Sequence, residues 1–141
     1  MSVHICPNLM VSHLGRSVRF YADVLGLETG FVIADDRSVV KDPDKGVFAM
    51  MNSEHSELML QLKESLADEV PVFSRDMPLS ATVAFYFRGL DPDEVRTRLD
   101  ENVVVKEPTT QWYGMREVYF LDPDGYLICA ASPVEDQETT G

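Results

Sequence analysis

The segment Phe120-Leu121-Asp122-Pro123-Asp124-Gly125-Tyr126-Leu127-Ile128 constrains this chain more than any other. An apolar strand runs into a tight turn and returns at once as a second apolar strand. Asp122-Pro123 sets the entry to the turn, and Asp124-Gly125 supplies residues that tolerate positive φ. The hairpin closes a second half whose order of elements echoes the first. Function is therefore expected in a cleft between the halves.

The length of 141 residues fits one domain, or two small modules sharing a core. The hydrophobic fraction of 45% is enough to build that core. A formal charge of -12, from 12 basic and 24 acidic residues, repels phosphate backbones and argues against nucleic acid as a partner. The same charge favours a cationic ligand, and also simple solubility. No apolar run reaches the length of a membrane span, and the N-terminus lacks the pattern of a signal peptide. Cys6 and Cys129 are too few for a disulfide scaffold, so a reducing cytoplasm is the expected setting.

The first strand is read as Val3 to Val11, with Ser12 capping a helix from His13 to Leu25. Leu14, Val18, Tyr21 and Leu25 share one face of that helix, and Gly26 stops it. Strands follow at Glu28 to Ile33, Val47 to Asn52 and Ser56 to Leu62, with a loop from Asp35 to Gly46. Residues 63–79 read as a linker with an acidic patch, two prolines and a short helical turn. The order then restarts. Ala81 to Phe87 is a strand, and Asp91 caps a helix that begins at Pro92 and runs to about Asn102. Strands at Val103 to Lys106, Arg116 to Leu121 and Tyr126 to Ala131 complete the second half.

The predicted fold is thus α+β: paired βαβββ modules over 3–62 and 80–132, whose curved mixed sheets enclose a cleft, within one domain spanning 1–133. The polar stretch 134–141 reads as a disordered tail. Alternation along the strands sets Leu58, Leu60 and Leu62 on one face and Glu57, Met59 and Gln61 on the other. It does the same for Val83, Phe85 and Phe87 against Thr82, Ala84 and Tyr86. The second face of each strand carries little charge, as a lined pocket would.

Several of these residues carry a family resemblance. Pro7-Asn8-Leu9-Met10-Val11-Ser12, Ser17-Val18-Arg19-Phe20-Tyr21 and Val24-Leu25-Gly26-Leu27 resemble the opening module of the vicinal oxygen chelate superfamily, the group of glyoxalases, bleomycin-resistance proteins and extradiol dioxygenases. Glu57-Leu58-Met59-Leu60-Gln61, Tyr113-Gly114-Met115-Arg116-Glu117 and Asp122-Pro123-Asp124-Gly125-Tyr126 resemble its fourth strand and closing hairpin. Enzymes of this group hold a divalent metal with His and Glu on cleft-facing strands. Carried over by the resemblance, those positions fall on Cys6, Glu57, Thr82 and Cys129, and Glu57 alone matches the usual ligand set. A site with one carboxylate and one hydroxyl would hold a hard ion weakly, so no metal and no cofactor is expected.

The resemblance implies metal-independent binding of a small, partly aromatic, cationic molecule, as in the drug-binding branch linked to antibiotic resistance, rather than catalysis. The expected ligand contacts are Asn8, Met10, Glu57, Met59, Gln61, Thr82, Ala84, Tyr86, Trp112, Tyr113 and Cys129, with Gln111 and Arg116 as further polar contacts. Adjacent Trp112 and Tyr113 would stack on a flat ligand. A glyoxalase-type lyase or isomerase, or a dioxygenase, using Glu57 as base is the runner-up, and a soft-metal or thiol sensor built on Cys6 and Cys129 is the third reading. His4, His13 and His55 fall in no ligand pattern. The resemblance also implies a homodimer.

Overall fold

The computed structural model describes residues 3–134. The tail expected at 134–141 therefore lies, from 135 onward, outside the described residues. The chain divides into two compact units, Met1–Leu79 and Ser80–Gly141. Each has its own mixed sheet.

In the first unit β1 (Asn8–Val11), α1 (Leu14–Asp23), β2 (Glu28–Ile33), β3 (Val39–Val40), β4 (Phe48–Asn52), β5 (Glu57–Leu62) and α2 (Lys63–Glu69) follow in order. The strands lie β1-β5-β4-β2-β3, with β1 parallel to β5 and the remaining pairs antiparallel. The expected helical stripe of Leu14, Val18, Tyr21 and Leu25 is buried. It packs on β4 and β5, whose helix-facing residues Ala49, Met51, Leu58 and Leu60 are buried in turn.

In the second unit β6 (Ala84–Arg88), α3 (Pro92–Thr97), β7 (Val104–Thr110), β8 (Met115–Leu121) and β9 (Leu127–Pro133) follow. The strands lie β6-β9-β8-β7, with β6 parallel to β9 and the others antiparallel. Both units thus set their first strand beside their last, as a βαβββ unit does, and both sheets are open. The α+β class is as the sequence indicates. The closing hairpin also forms as read. Asp122 Oδ1 accepts from the backbone N–H groups of Asp124 and Tyr126, both at 2.9 Å, and Gly125 takes φ +90°.

Several boundaries move, each for a local reason. The α1 cap is His13 rather than Ser12: its Nδ1 accepts from the Arg16 N–H at 3.1 Å, while Ser12 Oγ accepts from the Arg16 guanidinium. β1 is shorter than expected because its pairing with β5 begins at Asn8 and Met59. The loop after β2 hides β3. Asp36 accepts from the Ser38 N–H at 3.0 Å and Arg37 takes φ +72°, a turn that brings Val39 and Val40 back onto β2. The stretch read as a linker opens with α2, a run of good helix formers pinned by buried Leu66. Helix α3 stops at Thr97, well before Asn102. Asp100 captures the Asn102 N–H at 3.0 Å and starts a separate 3₁₀ turn, the local competition by which Asp ends helices. β6 begins at Ala84, so Thr82 and Val83 precede it, and β7 reaches Thr110 rather than Lys106.

The Asp91 cap is as expected, accepting from the N–H groups of Asp93 and Glu94 at 2.9 and 3.5 Å. Because α3 is short, it depends on this cap. Asp91→Ala should cost about 1 kcal/mol of unfolding free energy, read from urea midpoints. An unchanged midpoint would mean that tertiary packing alone holds α3.

Candidate functional site

Strand β8 reads Met-Arg-Glu-Val-Tyr-Phe-Leu from Met115. Val118 and Phe120 are buried on the face that carries α3, together with Ile128, Ala130 and Val95. Period-two alternation sends Glu117 and Tyr119 to the opposite face. There the register sets Tyr119 beside Cys129 and Cys129 beside Tyr86, while Glu117 lies beside the small residue Ala131.

Glu117 is only 1% exposed. Removing a carboxylate from water is costly unless its oxygens find donors. Here the donors are phenols. The Tyr86 hydroxyl donates to Oε2, and the Tyr113 hydroxyl lies 2.8 Å from both oxygens. Among the described residues the carboxylate forms no salt bridge. Tyr113 reaches it because the β7–β8 connection is tight: the Gln111 N–H donates to Met115 O at 2.7 Å, the Gly114 N–H donates to Gln111 O at 3.0 Å, and Gly114 sits at φ +87°. That value suits glycine, so the turn and the placement of Tyr113 depend on it.

Around this carboxylate lies a cavity of about 290 Å³. Tyr113, Tyr119, Val105 and Leu127 form walls, Glu117 contributes to the lining, and Lys106 and Gln111 complete it. Trp112 stands beside the cavity, 93% exposed, its ring edge-on to Tyr113 at 5.3 Å.

The expected contacts distribute as follows. In the second unit Tyr86, Tyr113 and Cys129 come together around Glu117, Ala84 lies farther along β6 on the same face, and Thr82 is exposed ahead of the strand. In the first unit Asn8, Met10, Met59 and Gln61 share one face of β1 and β5. The Gln61 amide is fully occupied: its Oε1 accepts from Asn8 at 3.0 Å, and its Nε2 donates to Ser65 and Glu69 on α2 at 2.9 and 3.2 Å. Glu57 sits exposed at the start of β5, close enough for its charge to push up the Cys6 thiol after the larger effect of burial. Arg116 points to the α3 side, where it pairs with Asp93 at 2.7 and 2.9 Å. His13 serves as a helix cap, and His55 pairs with Glu54 at an exposed turn. Among the described residues, neither unit by itself gathers three His, Cys, Asp or Glu side chains into a group that could hold a metal.

Sequence reasoning missed Glu117, Tyr119, Lys106, Val105 and Leu127. One signal was available for Glu117: a charge between Val118 and Phe120 on one side and Met115 on the other, in a strand with an apolar core face. The partnership with Tyr86 depends on a register that no local pattern encodes.

The site holds its phenols and thiol protonated. Burial, then the hydrogen bond to Glu117 and its charge, push the Tyr86 hydroxyl up. For Tyr113 the hydrogen bond to Glu117 leads and burial follows. Burial, then the charges of Cys129 and Glu117, push Tyr119 up to about 12. Burial and then Glu117 push Cys129 up to about 11, against a lowering hydrogen bond from Tyr119. In the unfolded chain a tyrosine ionises near 10 and a cysteine near 8.5. A group whose folded value is raised gives its full stability below the unfolded value and loses it as pH climbs to the folded one. Stability should therefore begin to fall at about pH 8.5, through Cys129, and fall further as pH rises from about 10 to about 12, through the tyrosines. Urea midpoints along this range should fall less steeply for Tyr119→Phe than for the parent chain. Parallel slopes would show that Tyr119 titrates as it does in the unfolded chain.

Comparison with known proteins agrees with this architecture. No curated protein matches the sequence closely enough to count as a relative. Among solved structures, a protein of unknown function from Agrobacterium tumefaciens superposes with a TM-score of 0.71 at 22% identity, covering 95% of this chain and 96% of that one. A glyoxalase-related enzyme from Fulvimarina pelagi gives 0.67 at 17% identity over 92% of this chain and 87% of that one. A member of the glyoxalase/bleomycin resistance protein/dioxygenase superfamily from Sphaerobacter thermophilus gives 0.63 at 20% identity over 93% and 98%. At such identities these likenesses show a shared fold and nothing finer. The family model described as Glyoxalase/Bleomycin resistance protein/Dioxygenase superfamily matches residues 2–130, so the chain belongs to that superfamily.

Proposed function

We propose that this protein binds a small, partly aromatic cation in the cavity beside Glu117, without the help of a metal. The observation that carries the reading is a buried carboxylate, hydrogen-bonded by the phenols of Tyr86 and Tyr113, in a cavity walled by Tyr113 and Tyr119. A carboxylate shielded from water keeps its field, whereas charges at the surface are screened within about 10 Å at moderate salt. The overall charge of -12 adds a weaker attraction in the same direction. The cavity lies near the lower end of the ligand-pocket range, about 300 Å³, so the ligand is small.

This reading moves the anionic anchor from Glu57, which is exposed, to Glu117. It also sets the thiol sensor aside. Both cysteines have raised pKa values, so thiolate is scarce at neutral pH, and thiolate is the form that binds metal or exchanges disulfides. The free thiols agree with a cytoplasmic setting. A homodimer belongs to the same proposal, supported by the open edge strands of both sheets and by exposed Val3 and Ile5.

Trp112 is the only tryptophan and adjoins the cavity, so its fluorescence reports on occupancy. Cationic aromatics should quench it, and Glu117→Gln should weaken their binding about tenfold or more, the usual order for losing a desolvated charge partner. Neutral aromatics of the same shape should bind more weakly. A screen without any Trp112 response, or hits indifferent to Glu117→Gln, would refute the reading. Light scattering should return twice the mass of 15.9 kDa, and a monomer at high concentration would refute the dimer.

A further inference from the structure

From the way Glu117 is satisfied, we infer that the cavity selects cations that carry no N–H donors, namely alkylated ammonium groups, over primary ammonium or guanidinium groups. This rests on the cation-binding reading above and sharpens it. A carboxylate that recognises a primary ammonium or a guanidinium offers its oxygens directly, as charge-assisted acceptors. Glu117 does not. Its Oε2 accepts from Tyr86 and both oxygens lie at 2.8 Å from the Tyr113 hydroxyl, and the residue is buried. Little acceptor surface is left for a ligand.

What the cavity does offer is rings with a negative charge behind them. Tyr113 and Tyr119 line it beside apolar Val105 and Leu127. A phenol that donates its proton to a carboxylate gains electron density in its ring, and a richer ring attracts cations more strongly through its face. Tyr119 lies beside Cys129 in the pairing of β8 with β9. A primary ammonium entering this space would find the Glu117 oxygens already engaged by phenols and the Gln111 amide oxygen as an acceptor for only one of its three N–H groups, and each donor left unpaired is costly. An ammonium whose hydrogens are replaced by methyl groups has no such requirement. Its methyl groups pack on Val105 and Leu127, while its charge is held by the rings and by Glu117 through them. Lys106 also lines the cavity, and its charge opposes any cation there.

The experiment compares benzyltrimethylammonium with benzylammonium at neutral pH, by Trp112 fluorescence and by calorimetry on the full chain. Benzyltrimethylammonium should bind at least tenfold more tightly. Equal or tighter binding of benzylammonium would overturn this inference while leaving the cation-binding reading intact. Failure of both compounds to bind would remove the function and this inference together. Tyr119→Phe should keep the affinity for benzyltrimethylammonium within about twofold, since the ring remains. A loss of tenfold or more in that variant would show recognition through the hydroxyl and overturn the inference. Lys106→Met, a change at an exposed position that spares the fold, should tighten binding several-fold. Unchanged or weaker binding in this variant would place the cation outside the cavity and also overturn it.

Discussion

Burying one carboxylate with phenols as its hydrogen-bond donors imposes conditions on everything around it. A carboxylate in an apolar setting is costly unless donors surround it. Glu117 has such donors, and they come from separate places in the chain: Tyr86 on β6, and Tyr113 from the turn that joins β7 to β8. The β6–β9 register, the β8–β9 register and the tight turn at Gly114 must all be correct for both phenols to arrive. A shift of one residue in β8 would send Glu117 to the face occupied by α3 and bring Val118 out in its place. The network therefore fixes register as well as filling space.

The two units solve the same geometric problem differently. Each has a sheet with two faces, and one helix, α1 or α3, covers one of them. In the first unit part of the other face is tied down by α2, through the bonds from Gln61 to Ser65 and Glu69 and from Asn8 to Gln61. In the second unit the corresponding face carries tyrosines and a cavity. Polar groups on that face of the first unit are largely spent on one another. In the second unit they are arranged around a space, which is why the second unit holds the candidate site.

The strong elements of this fold were legible in the sequence because they rest on local chemistry. The Asp122–Gly125 turn, the Asp91 cap and the apolar stripe of α1 each follow from residues within a few positions of one another. The errors came where local signals compete or where contacts are distant. His13 displaced Ser12 as cap because both carry acceptors and only the geometry of Arg16 separates them. Asp100 ended α3 early by a side-chain bond that helical periodicity does not register. The short helical turn expected after β5 is α2, seven residues long and anchored by buried Leu66. Tyr86, Tyr113 and Cys129 were found as candidates from alternation and from aromatic adjacency. Glu117 was not, because its meaning comes from strand pairing with residues that are distant in sequence.

The space beside Glu117 is proposed to hold a cation against tyrosine rings. A crystal structure of the protein grown with benzyltrimethylammonium tests it most directly. The ammonium nitrogen should lie within about 6 Å of the Tyr113 and Tyr119 ring centroids, the reach of a cation–π contact, with the phenol bonds to Glu117 unbroken. A ligand bound away from the cavity, or a ligand that displaces Tyr113 from Glu117 to reach the carboxylate itself, would contradict it.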